Sequence, residues 1–119
     1  MSNIRISDMM DMQRQLFEAH KDQWAPRCPQ NAREFMLFLM EEFGEVVAIY
    51  KKKGNDFIME DPAVRSHFCK EMADVLMYFT EILLCYGITP EEFSSAYIEK
   101  HCRNLGRNFT GEYENLYET

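Results

Sequence analysis

Apolar side chains recur along this chain at three- and four-residue intervals, interrupted at a few well-marked places, and that rhythm predicts helices throughout. The first stripe is Met9, Met12, Leu16, Phe17, His20 and Trp24, with Ser7 as the predicted N-cap. Pro26 and Pro29 stop it, and Asn31 followed by Glu34 has the spacing of a capping box that opens a second helix. That helix is predicted to run to about Lys53 and to end at Gly54, with residues 55–60 as a loop. Asp61 as cap and Pro62 at the first position start a third helix reaching Gly87, and Thr89-Pro90-Glu91-Glu92 repeats the signal for a fourth, to about Gly106. No alternating run argues for a sheet, and no internal repeat is present. The pattern predicts one all-α domain over residues 1–119, four-helix bundle-like, with its core at about 31–107 and an acidic, aromatic tail at 108–119.

Two of these stripes are broken by acids. Glu42 lies four residues from both Phe38 and Val46 and three from Leu39, so its carboxylate falls on the face expected to pack, and Glu45 stands one turn on. The third helix repeats the arrangement: Glu71 sits between Phe68 and Val75, with Asp74 a turn later. Either pair alone is ordinary on a solvated helix face. Together, on consecutive helices and with Gly44 permitting close approach, they predict a shared site, because converging buried carboxylates need positive charge between them. Lys51, Lys52 and Lys53 come only after the last acid of the second helix, and Lys70 is beside Glu71 rather than opposite it. A hard divalent cation answers the charge: oxygen ligands favour Mg²⁺, Mn²⁺ or Ca²⁺ over zinc or copper.

Composition narrows the partners. The net charge of −7 repels phosphate backbones, so nucleic acid is not expected as a partner. The N-terminal residues lack a basic start followed by an apolar run, and no stretch has the roughly 20 apolar residues of a membrane span. A cytoplasmic location with no membrane association is therefore expected. The cysteines Cys28, Cys69, Cys85 and Cys102 show no C-x-x-C spacing and are expected to be reduced thiols. A di-iron carboxylate bundle is disfavoured, since none of His20, His67 and His101 has a Glu three residues before it. With 9 Met and 9 Phe in so short a chain, more apolar surface is expected than one small core hides, which predicts a homo-oligomer.

The segments Glu41-Glu42-Phe43-Gly44-Glu45 and Glu71-Met72-Ala73-Asp74-Val75-Leu76 resemble the E-x-x-E and E-x-x-D motifs of the MazG-like all-α nucleoside triphosphate pyrophosphohydrolases, a superfamily that includes dCTP pyrophosphatases and dimeric dUTPases. The likeness extends from about Asn31 to Arg107. It implies Mg²⁺-dependent hydrolysis of a nucleoside triphosphate, ribo or deoxy, to the monophosphate and pyrophosphate. Glu42, Glu45, Glu71 and Asp74 would be the catalytic metal ligands, Mn²⁺ an alternative ion, and Glu42 or Glu45 the candidate general base. It also implies a homodimer or homotetramer, a dimer of dimers. Lys100, Asn104 and Arg107 match a basic and amide cluster of the family's last helix, in K-x-x-x-N-x-x-R spacing that suits a polyphosphate, although a helix dipole alone explains basic residues there equally well. Lys51 has the same two readings, and Trp24 and Asn31 occupy a region that contacts the nucleobase in similar proteins. The competing reading is a helical nucleotide-binding or interaction module without hydrolytic activity.

Overall fold

Where the prolines, glycines and capping side chains fall decides the boundaries of the helices. The computed structural model describes residues 2–107, and every regular element among them is helical: α1 (Ile6–His20), a 3₁₀ turn (Pro29–Asn31), α2 (Ala32–Glu60), α3 (Pro62–Cys85) and α4 (Pro90–Leu105). They fall into two compact units, one reaching residue 89 and the other starting at residue 90.

Several boundaries differ from the sequence expectation for identifiable reasons. The N-cap of α1 is Arg5 rather than Ser7, because the Asp8 carboxylate accepts the Arg5 backbone N–H at 2.8 Å. α1 closes at His20, yet the Trp24 N–H still donates to the His20 carbonyl at 3.0 Å, and the indole stacks on the His20 ring with centroids 5.0 Å apart. Asn31 does not cap α2 with its side chain, whose amide donates instead to the Pro26 carbonyl at 2.6 Å and closes the loop behind it. Gly54 does take the positive φ anticipated for it (79°, with ψ 172°), but the chain then returns to helix, so residues 55–60 form a helical turn rather than a loop.

Asp61 serves two helices at once. Its backbone N–H closes the end of α2 on the Phe57 carbonyl at 2.9 Å, while its carboxylate accepts from the Ala63 and Val64 N–H groups at 2.9 and 3.2 Å to open α3. At the other end of α3, Gly87 at φ 66° makes a Schellman closure: Ile88 N–H donates to Leu83 and Gly87 N–H to Leu84.

Joined by one residue, α2 and α3 pack antiparallel along most of their length. Ala32 and Phe35 meet Cys85 at one end, the Phe38 and Tyr78 rings lie 5.8 Å apart a turn further on, and the acids follow. α1 lies against α3. What ties the segment between α1 and α2 to this pair is an ion pair in the interior. Glu81, only 1% exposed, receives both Nε (2.6 Å) and Nη2 (3.1 Å) of Arg27 and the Gln13 amide at 3.4 Å. The Arg27 guanidinium also sits 4.3 Å above the Phe17 ring. Three separate segments thus converge on one carboxylate.

The opposite face of α2 carries Met36, Met40, Phe43, Val47 and Tyr50, spaced four, three, four and three residues apart and all exposed, Met40 at 69%. Such a stripe has the period of a helix-packing seam.

Arg27→Met leaves Glu81 buried without its cation, and is expected to lower the unfolding free energy by about 3 kcal/mol in urea titrations followed by far-ultraviolet circular dichroism. Combining it with Glu81→Leu is expected to recover much of that loss.

Candidate functional site

On α2, Glu42 occupies the packed face between Phe38 and Val46, and the antiparallel register of α3 brings Glu71 and Asp74 to the same level. One carboxylate oxygen from each of these three acids lies within 4.8 Å of the other two, and all three side chains are half-buried. Among the described residues no lysine or arginine pairs with any of them. The only ion-pair neighbour is His67, whose Nε2 lies 3.3 Å from Glu71 Oε1 across one helical turn. Glu45 is exposed and outside the trio, although its charge reaches Glu42.

The electrostatic consequence falls on Glu42. Burial, a hydrogen bond shared with Glu71 and the negative charges of Asp74, Glu71 and Glu45 all push its pKa up from the ordinary carboxylate value. Tyr78 is pushed up as well, by burial first and then by Glu42, Asp74 and Glu41, so its phenol keeps its proton at neutral pH. Three oxygen donors that repel one another, with no protein cation between them, fit a hard divalent ion such as Mg²⁺, Mn²⁺ or Ca²⁺. Glu42, Glu71 and Asp74 would hold it.

Two of the three acids border a cavity of about 580 Å³, within the usual range for a small-molecule site. Glu42 and Asp74 line it on the acidic side. Phe35, Phe38, Trp24 and Tyr78 supply aromatic surface, and Gln13, Gln23 and Glu34 supply polar groups. The wall formed by Trp24 and Ala25 belongs to the segment that Arg27 fastens to Glu81, and Glu81 itself contributes to the lining. Trp24 is therefore placed in the same cavity as the acids. Asn31 is not in that lining, and its amide is engaged by Pro26.

Lys51 is exposed on α2, a turn before Gly54. Lys100 and Asn104 share a shallow hollow of about 400 Å³ on α4 with Phe93 and Tyr97, and Arg107 donates to the Asn104 side-chain oxygen at 3.1 Å. These last three belong to the second compact unit, and the acidic trio to the first.

Sequence reasoning missed Phe38, Glu34 and Tyr78 as cavity residues, although the signal was present: each lies one or two helical turns from an acid already singled out. Gln13 and Arg27 gave no comparable signal, because their contacts with Glu81 span 68 and 54 residues.

No protein-family model, curated protein or solved structure matches this chain.

The raised pKa of Glu42 carries a sign for stability. An acid that titrates higher when folded binds extra protons in the folded state. Its favourable contribution is complete below the unfolded value, near 4.5, and is lost as pH rises through the folded one. Without metal, the melting temperature of the wild type relative to Glu42→Gln is therefore expected to fall as pH rises from about 4.5. Thermal melts across that range check it, and added Mg²⁺ is expected to stabilise the wild type more at pH 8 than at pH 5.

Proposed function

We propose that this protein is a Mg²⁺-dependent nucleoside triphosphate pyrophosphohydrolase, cleaving between the α and β phosphates to release a monophosphate and pyrophosphate. The observation that carries this reading is the carboxylate trio of Glu42, Glu71 and Asp74, of which Glu42 and Asp74 line an aromatic-walled cavity. A metal centre without an adjoining cavity would suit a structural ion, and an aromatic cavity without acids would suit almost any planar ligand. Their union suits a ligand with a polyanionic end and a flat end, and the helical motifs resemble those of enzymes that act on such ligands.

In this scheme Glu42, Glu71 and Asp74 hold the ion, and Glu45, exposed one turn from Glu42, is free to join when substrate arrives. When bound, Mg²⁺ supplies neutralisation of phosphate charge and lowers the pKa of water. Tyr78, kept protonated, offers an O–H beside the acids. The nucleobase end lies toward Trp24 and Phe38, whose rings provide stacking surface. Lys51, in the same compact unit as the acids, is the proposed contact for phosphate oxygens distant from the metal. The exposed stripe from Met36 to Tyr50 supports self-association, and a second copy is the proposed occupant, as a dimer or a dimer of dimers.

Incubation with a panel of ribo- and deoxynucleoside triphosphates, with Mg²⁺ or with a chelator, is expected to yield monophosphate and pyrophosphate only when metal is present. Glu71→Gln is expected to lower kcat by roughly 100-fold or more while circular dichroism stays unchanged. Loss of helicity together with activity would assign Glu71 a structural role instead. Absence of turnover with every nucleotide, together with Mg²⁺-dependent binding, would favour the non-hydrolytic binding module. For the assembly, light scattering is expected to give a dimer or tetramer for the wild type and a smaller species for Phe43→Glu.

A further inference from the structure

Among the polar groups that line the cavity away from the trio is a carboxylate with no protein partner among the described residues. Glu34 lines the cavity with Phe38 and Glu42. These three lie four residues apart on α2, so a single helix face presents a carboxylate, a ring and a second carboxylate in turn. Glu34 is eight residues from Glu42, or about 12 Å along the axis, a reach comparable to that from the phosphates of a nucleotide to the far edge of its base.

Among the described residues Glu34 makes no hydrogen bond and no ion pair. Glu81, the other carboxylate bordering this part of the cavity, is in the opposite condition, saturated by Arg27 and Gln13. Because Glu81 only accepts, Gln13 turns its amide nitrogen toward it. The cavity therefore meets a ligand with the unpartnered carboxylate of Glu34 beside the flat surfaces of Trp24 and Phe38.

Resting on the nucleotide reading above, we infer that Glu34 is a specificity-determining residue that selects bases carrying two adjacent N–H donors, the guanine type. Guanine presents its ring N1–H and its exocyclic 2-amine side by side, matching the two oxygens of one carboxylate. Uracil and thymine place a carbonyl on either side of their single N–H, and a carboxylate facing that edge meets lone pairs. Hypoxanthine keeps the ring N–H and lacks the amine, which makes it the sharpest comparison. A site built around a hydrogen bond disfavours the analogue that cannot make it, since the acceptor is then left without a donor.

The test is kcat/KM for GTP, inosine triphosphate and UTP with Mg²⁺, for the wild type and for Glu34→Gln, with Glu34→Ala as a second variant. The wild type is expected to prefer GTP over inosine triphosphate by about tenfold or more and to prefer it over UTP by a larger factor, and both variants are expected to shrink the GTP to inosine triphosphate ratio to within about threefold. Equal use of GTP and inosine triphosphate by the wild type overturns the inference about Glu34 while leaving the pyrophosphohydrolase reading intact. So does a wild-type preference that survives in both variants. Absence of turnover for every triphosphate overturns the reading on which the inference rests, and the inference with it.

Discussion

Negative charge on packed helix faces has to be answered, and the first compact unit answers it in two ways. At Glu81 the answer is covalent to the chain: Arg27 reaches in from the segment after α1, binds both carboxylate oxygens and stacks on Phe17. At Glu42, Glu71 and Asp74 no lysine or arginine is supplied among the described residues, and burial, a hydrogen bond with Glu71 and the unrelieved repulsion raise the pKa of Glu42. The first arrangement is self-sufficient and fastens a wall of the cavity. The second has no lysine or arginine partner among the described residues, and that difference makes it the candidate cation site.

The same constraint explains why part of the molecule was legible in its sequence. Glu42 and Glu71 stand at core positions of helical stripes, so local periodicity alone places them on the packed faces, and the antiparallel α2–α3 pairing brings them together with Asp74. Asp61 with Pro62, and Gly87 at the end of α3, act within a few residues of themselves and were equally readable. In the sequence Glu81 stands out only as an acid interrupting the apolar run between Asp74 and Tyr86. Its partner is 54 residues away, and no local rule connects them. Residues 55–60 were misread because a glycine with positive φ ends most helices, whereas here the chain bends at Gly54 and resumes its helical path up to Asp61. Asn31 was misread because an amide can cap a helix or close a loop, and the nearby Pro26 carbonyl claimed it.

The order of groups along α2 gives the cavity its polarity. From Glu34 through Phe38 to Glu42, one face passes from an unpaired acceptor across an aromatic ring to the metal-ligand candidates, while the outward face from Met36 to Tyr50 remains apolar and exposed. A single helix thereby lines the cavity on one side and carries an exposed apolar stripe on another. Glu45 is exposed, one turn from Glu42. The predicted quartet of acids is thus a trio in this structure with a fourth carboxylate close at hand.

The account stands or falls on whether the trio binds a divalent cation. Titration of the protein with Mn²⁺, followed by the loss of the free-ion electron paramagnetic resonance signal, measures this without any substrate. The account predicts saturable Mn²⁺ binding that Mg²⁺ displaces and that Asp74→Asn or Glu42→Gln weakens sharply. Failure of the wild type to bind Mn²⁺ at millimolar concentration, or binding that both variants retain, would contradict it.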